Sequence, residues 1–188
     1  MARIMVRVRR VVTGVDGDGR ATVISDGIAP RVHDFDSIPG MSETFVWKTE
    51  PGAPIPTAPQ DHTPGAASMV AAPGETQLKV VRFPPDAVFA DPAFDSEAAA
   101  TEQARAQPGL AELFEADEPG MHTTDTIDYA LVLDGEITLE LDAGETVSLS
   151  RGDVVIQNGT RHAWRNPTGA PATVAFFCVG ARRQQQLP

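Results

Sequence analysis

The chain has 188 residues, of which 41% are hydrophobic, enough for the core of one ordinary domain. Its 15 basic residues against 26 acidic ones give a net charge of -11, which makes nucleic acid and anionic membrane surfaces poor partners. No segment is apolar enough to span a bilayer, and residues 1–10 lack the apolar core of a signal peptide. We therefore expect a cytoplasmic protein whose partner is a small molecule.

The first half of the sequence predicts a β-hairpin arm and then an irregular connection. Valines in residues 6–12 and the β-prone residues 21–24 flank a turn at residues 16–19, Asp-Gly-Asp-Gly. A further short strand is predicted at residues 44–47. Residues 51–73 are rich in Pro, Ala and Gly, which favours an extended connection. The sequence does not place this connection relative to any site, so whether it forms a lid stays open.

The second half predicts a β-barrel. A strand at residues 77–83 precedes a helix at 96–106, and residues 110–114 are expected to add one more turn. From residue 121 to 179, short β-rich runs alternate with turn residues at regular intervals, which is typical of a small antiparallel barrel of the jelly-roll type. The single cysteine, Cys178, lies in an apolar run and is expected to be buried.

The fold expected from these patterns is all-β. It consists of a single jelly-roll barrel with an N-terminal β-hairpin arm and one or two short helices. The expected division of the chain is 1–75 for the arm and connection, 76–182 for the barrel and 183–188 for the tail.

Two spaced sets of residues mark the predicted barrel. The first set comprises Gly120, His122, Thr124, Asp128 and Gly135, and the second comprises Gly152, Gly159, His162, Trp164 and Asn166. Residues an even number apart on a strand share a face, so both histidines and Asp128 are able to point inward. Inward polar groups cost several kcal/mol if they stay unpaired, so they must satisfy one another or bind a ligand.

Together the two sets resemble the two conserved motifs of the cupin superfamily, in its small single-domain form with a cupin type-2 conserved barrel. The first family motif runs His-x-His, Glu, Gly, and the second runs Gly, Pro-x-Gly, His, Asn. Thr124 replaces the second histidine, Asp128 replaces the glutamate, and Gln157 replaces the turn proline.

The resemblance implies a divalent metal held by His122, Asp128 and His162, and the same three residues are the expected catalytic groups. Two histidines and one carboxylate favour Fe(II), with Mn, Ni or Zn as other possibilities. Thr124, Trp164 and Arg82 are expected to line the pocket. Tyr129 has the opposite parity to Asp128 and is expected to lie outside the barrel.

The leading functional hypothesis is an enzyme of secondary or aromatic-compound metabolism, either a metal-dependent oxygenase or an isomerase or lyase. It would bind a small carbonyl- or carboxylate-bearing ligand inside the barrel. In a second hypothesis no metal is present, and Asp128 hydrogen-bonds a histidine for the acid-base chemistry of an isomerase, dehydratase or decarboxylase. A third hypothesis is a ligand-binding or sensor protein without turnover. A homodimer formed through the hairpin arm is expected, and His33 and His62 are expected to be solvated surface residues in loops.

Overall fold

The structure, a computed structural model, describes residues 7–55 and 60–184. One α-helix in these residues, α1 (Ser96–Ala106), accompanies short 3-10 turns. The strands are β1 (Arg9–Val15), β2 (Ala21–Ile28), β3 (Arg31–Asp34), β4 (Ser42–Thr49), β5 (Thr76–Phe83), β6 (Thr126–Asp134), β7 (Glu136–Glu140), β8 (Thr146–Ser150), β9 (Val154–Asn158), β10 (Ala163–Arg165) and β11 (Ala172–Gly180). The predicted all-β class is confirmed.

Two antiparallel sheets make up the barrel. The larger sheet has six strands in the order β3-β4-β5-β11-β6-β9, and the smaller has the order β10-β7-β8. Side chains alternate along each strand, so one face of each sheet supplies apolar residues to a common core. That core joins Val81, Val132 and Val174 of the larger sheet to Ile137 and Leu149 of the smaller one.

A motif glycine sits in the turn between β6 and β7. Gly135 has a φ of +76°, and a Cβ placed there would lie 2.6 Å from the backbone oxygen of Pro171. Glycine adopts this left-handed conformation without steric cost, and here it also allows the close approach of two backbones. The turn therefore requires glycine at this motif position.

The predicted hairpin arm forms as expected, with β1 and β2 in a separate two-stranded sheet. The backbone N–H of Gly19 donates to the carbonyl of Asp16 at 3.0 Å, which closes the predicted turn. The predicted strands at residues 44–47 and 77–83 and the helix at 96–106 are confirmed, and residues 111–113 form a 3-10 turn. Val6, the first valine of the predicted hairpin, lies outside the described residues.

The strands before residue 76 extend the barrel sheet, because β3 pairs with β4 and β4 pairs with β5. The predicted division into 1–75, 76–182 and 183–188 stays a prediction, since no boundary between independently folding parts has been tested. In the part of the chain that the structure describes, no helix is long and apolar enough to cross a membrane.

His33 does not lie in a solvated loop, as the sequence predicted. It belongs to β3, and its Nε2 lies 3.0 Å from a carboxylate oxygen of the buried Glu102 on α1. The prediction was wrong because the contact spans 69 positions in sequence, which the local Asp-rich context of His33 did not reveal. His62 does lie in an irregular segment.

Candidate active site in the barrel

A cavity of about 880 Å³ lies inside the barrel. Most of its lining is apolar, including Met41, Val81, Phe83, Phe94 and Phe176. A volume of this size, with mainly apolar walls and a few polar groups, is typical of pockets that bind small molecules. His122, Asp128 and His162, the three predicted site residues, all line it.

The two histidines face each other across a short backbone bridge. His122 and His162 form an isolated antiparallel pair in which each N–H donates to the other's carbonyl, at 3.0 and 2.9 Å. This pairing brings the ring centroids to 4.4 Å. Residues 40 positions apart in sequence are thus neighbours because of the barrel's strand pairing.

Hydrogen bonds to the backbone set the tautomer of both rings. Nδ1 of His122 lies 3.0 Å from the carbonyl oxygen of Gly120, and Nδ1 of His162 lies 2.9 Å from that of Thr160. A carbonyl oxygen only accepts, so each Nδ1 carries the hydrogen. In each neutral ring, Nε2 therefore keeps an unprotonated lone pair, which is what a general base or a metal ligand requires.

Burial keeps both rings neutral near pH 7. Burial, together with the charge of the neighbouring His162, lowers the pKa of His122 to about 4. Burial also lowers the pKa of His162, although its hydrogen bond to Thr160 and the charge of Asp128 act in the opposite direction. Two neutral imidazoles in contact are thus the resting state of the site.

Asp128 lies close to this pair but does not hydrogen-bond either ring, which corrects the hypothesis of a direct Asp–His pair. Its side chain is 8% exposed, and its Oδ1 has no hydrogen-bond partner among the described residues. Asp128 pairs in register with Cys178 on β11. The Cys178 thiol is buried, as predicted. Its burial and the charge of Asp128 raise its pKa to about 12, so the thiol stays protonated and unreactive.

The predicted metal triad does not assemble as a group of three. Among residues 7–55 and 60–184, no three His, Cys, Asp or Glu side chains are arranged to hold a metal ion. Catalytic metal sites use three protein ligands as a rule, and here the two Nε2 atoms supply two. The donor set does not fit a three-ligand centre in this arrangement, and metal binding stays a prediction.

Of the other three predicted lining residues, two line the cavity and one does not. Thr124 and Trp164 line the cavity, with the Thr124 hydroxyl 2.8 Å from that of Thr126 and the Trp164 ring 6.1 Å from that of His162. Arg82 does not line it. Lys79, Val81 and Phe83 take the inward positions of β5, so Arg82 points outward and its guanidinium donates to the carbonyl of Gly40.

Gln157 shows how the chain closes the turn without the family's proline. Its side-chain amide donates to the carbonyl and the hydroxyl of Thr160. The same carbonyl accepts the Nδ1–H of His162. The turn that Gln157 closes therefore also orients the ring of His162.

Glu43, Lys79 and Gln107 are buried polar residues of the cavity that the sequence did not predict. The amide of Gln107 donates to a Glu43 carboxylate oxygen at 2.9 Å, and Nζ of Lys79 donates to the carbonyl of Met69 at 2.7 Å. A signal for Lys79 existed: it shares parity with Val81 and Phe83 on β5. Nothing local marked Glu43 or Gln107, which are 64 positions apart.

The fold is a β-barrel with a few polar groups around a mainly apolar cavity, and comparison with known families shows what part of it resembles. Residues 112–180 match the family model Cupin_2, cupin domain. This part of the chain is similar to cupin domains, in agreement with the resemblance that the two motifs predicted.

Curated relatives match over short segments. Phomopsin biosynthesis cluster protein C' of Diaporthe leptostromiformis is 63% identical over 46 residues, which is 24% of each chain. Oryzines biosynthesis cluster protein J of Aspergillus oryzae is 49% identical over 60 residues, 32% of this chain and 34% of that protein. The cupin-domain-containing oxidoreductase virC of Hypocrea virens is 43% identical over 49 residues, 26% and 25% of the two chains. The matches thus span about a quarter to a third of these relatives' lengths.

Proposed function

We propose that this chain is a small-molecule enzyme of secondary metabolism whose barrel cavity binds a partly apolar, carbonyl- or carboxylate-bearing ligand. The observation that carries the proposal is the pair of neutral imidazoles, each with an unprotonated Nε2, in a mainly apolar cavity. Neither Nε2 has a hydrogen-bond partner among the described residues, so both lone pairs are available to a ligand.

Proton transfer is the chemistry that this arrangement supports best. Nε2 of one histidine would take a proton from a carbon next to the ligand's carbonyl group, which forms an enolate and an imidazolium. The charge of Asp128 favours the protonated form of His162, so it would stabilise that imidazolium without a direct hydrogen bond. The same ring would return the proton at a second position, so the reaction is an isomerisation without net oxidation.

The names of the relatives support the metabolic setting. Two of them belong to biosynthesis clusters, and a third is named an oxidoreductase. That last name, with the two free Nε2 atoms, favours a metal-dependent oxidoreductase as a second candidate. In this case His122 and His162 would supply two ligands, a third would have to come from outside the pair, and the metal would supply Lewis acidity or activation of oxygen.

Hydrogen–deuterium exchange at a carbonyl compound tests the proton-transfer proposal. We expect the wild-type protein to accelerate exchange of the α-protons of 2-tetralone in D₂O, followed by NMR. His122→Gln and His162→Gln should each reduce the rate at least about tenfold, since general-base catalysis contributes about 10²–10⁴-fold. His62→Gln, outside the cavity, is the matched control and should retain the rate. A wild-type rate equal to that of the double His→Gln variant would reject the proposal.

Elemental analysis separates the two candidates. Near-stoichiometric iron, manganese, nickel or zinc in the purified wild-type protein, lost in His122→Ala/His162→Ala, would favour the oxidoreductase. No bound metal after incubation with Fe(II), Mn(II), Ni(II) and Zn(II) would reject it. Ligand binding with neither metal nor exchange would leave the sensor hypothesis.

A further inference from the structure

Lys79 places a positive charge inside the cavity. It is 7% exposed, on an inward position of β5, and its Nζ donates one hydrogen bond, to the carbonyl of Met69. An ammonium has three N–H donors, so two remain unused. Lys79 lines the same cavity as His122 and His162.

No described carboxylate forms an ion pair with Lys79. Lys48, the other lysine in the sequence, illustrates the usual arrangement: its Nζ lies 3.0 Å from Glu50 and 2.8 Å from Glu75. Burying an ammonium without a counter-ion is costly. Such an unfavourable burial is understandable where a bound ligand supplies the missing negative charge.

The cavity also holds acceptors without donors. Oδ1 of Asp128 and Oε1 of Gln107 are buried and have no hydrogen-bond partner among the described residues. Lys79 thus offers its remaining N–H donors to a ligand oxygen, while these two oxygens are available to ligand hydroxyl or amide groups.

We propose that Lys79 binds an anionic oxygen of the ligand, so that the substrate class is an apolar carboxylate or the enolate of a carbonyl compound. The inference deepens the proposed function, because the anion would be held next to the histidine pair. In proton abstraction, the oxygen that gains charge as the C–H bond breaks would lie against the ammonium, and the proton would pass to Nε2.

NMR of the unmutated protein tests the proposal directly. Labelling lysine at ¹³Cε gives two side-chain signals, from Lys48 and Lys79. Titration with 2-naphthoate should shift the Lys79 signal and leave the Lys48 signal in place, whereas 2-naphthamide, its neutral counterpart, should shift Lys79 less. Absence of any shift at Lys79 with millimolar 2-naphthoate would overturn the proposal.

Variants give the second measurement. The wild-type protein should bind 2-naphthoate more tightly than 2-naphthamide in calorimetry. Lys79→Met should weaken 2-naphthoate at least about tenfold, as loss of a charge-assisted hydrogen bond predicts, and should leave 2-naphthamide nearly unchanged. The matched control, Lys48→Met, should keep the wild-type preference. Equal preference for the anion in Lys79→Met and wild type would contradict the proposal.

The two proposals fail independently. His122→Gln/His162→Gln should lose exchange of 2-tetralone but keep the Lys79-dependent preference for 2-naphthoate. If exchange is absent in the wild type while that preference holds, the histidine mechanism is rejected and the anion site stands. The reverse result would reject the anion site alone.

Discussion

His122 and His162 owe their properties to the backbone that surrounds them. Two carbonyl oxygens fix the hydrogen on Nδ1 of each ring, and the mainly apolar cavity disfavours a second proton. Each ring is therefore prepared as a base by groups that would not take part in any reaction. The tautomer and the neutral state of each ring thus depend on where the ring lies in the fold, and not on which residues are its neighbours in sequence.

The state of the rings is directly measurable. We expect ¹⁵N NMR of labelled histidine to show His122 as a neutral Nδ1–H tautomer from pH 8 down to about pH 5.5, and His162 to gain its second proton only below the ordinary pKa of 6.5, because burial disfavours both charged forms. His122→Gln and His162→Gln assign the signals among the chain's four histidines. A ring that gains its proton above pH 6.5 would contradict the prediction.

The lowered pKa of His122 also predicts how stability varies with pH. The folded state binds fewer protons than the unfolded one between the ordinary value of 6.5 and about 4. The contribution of His122 to the free energy of unfolding is therefore fully present above pH 6.5 and is lost as the pH falls to about 4. The loss reaches about 3 kcal/mol, because the pKa values of the unfolded and folded states differ by about 2.5. Urea unfolding of wild type and His122→Gln at pH 7.5 and 4.5 measures it: the wild type should lose more stability.

Asp128→Asn separates charge from shape. The amide has nearly the volume of the carboxylate, so we expect a change of about 1 kcal/mol or less in the free energy of unfolding. Loss of the charge that favours protonated His162 should nevertheless reduce 2-tetralone exchange at least about tenfold. Unchanged exchange in a folded variant would show that Asp128 takes no part.

At the scale of elements, α1 is held against the sheet by a carboxylate. Glu102 accepts hydrogen bonds from the backbone N–H groups of Asp36 and Ser37 at 2.9 and 2.7 Å and contacts His33. Burial by itself would raise the pKa of Glu102, but these hydrogen bonds outweigh it and hold the pKa at about 2. The contact positions a helix whose residues Ala99 and Gln103 line the cavity.

Glu102→Gln should weaken this attachment. The amide presents one acceptor instead of two, so a buried N–H loses its partner at a cost of about 1–3 kcal/mol. The Glu102 pKa lies below its usual value of 4.5. The difference in the free energy of unfolding between Glu102→Gln and wild type should therefore be largest above pH 4.5 and vanish as the pH falls towards 2. Urea unfolding measures it, with Glu97→Gln, on the exposed first turn of α1, as the control. A difference that grows in acid would contradict the assignment.

At the scale of the whole molecule, the hairpin arm leaves apolar surface uncovered. All residues of β2 are exposed, among them Val23, Ile24 and Ile28, and the two arm strands pair only with each other, although the side chain of Arg10 on β1 donates to the carbonyl of Val46 on β4. A two-stranded ribbon is marginally stable by itself. The outer face of the barrel also exposes Tyr129, as predicted, beside Ile156 and Phe177.

These surfaces support the predicted homodimer, in which β2 of the arm packs on a second copy of the chain. We expect light scattering after gel filtration to give twice the mass of 20.0 kDa. Ile24→Lys/Ile28→Lys should give monomers, because burying either charge in an apolar interface is unfavourable. Ile55→Lys, at an exposed loop position, is the matched control and should stay dimeric. A monomeric wild type at 100 µM would contradict the prediction.

Local patterns in the sequence determined most of the elements. Alternation and turn residues predicted the hairpin, β4, β5, α1 and the barrel strands, and the spacing of the two motifs predicted that His122 and His162 meet. These predictions succeeded because strand parity and turn chemistry act over a few residues. The joining of β3 and β4 to the barrel sheet followed less directly, since sheet pairing is not local.

Only the tertiary structure decided the electrostatics of the cavity. It placed Lys79 inside and Arg82 outside, left Asp128 without a hydrogen bond to either histidine, and buried the contact between His33 and Glu102. Sequence determined which residues share a face of each strand, because that follows from backbone geometry, but which face of β5 lies towards the cavity depended on how the sheets pack. Whether two inward groups touch depends on how separate strands pack, and distances of a few ångströms decide whether they form a hydrogen bond, an ion pair or a binding site for something else.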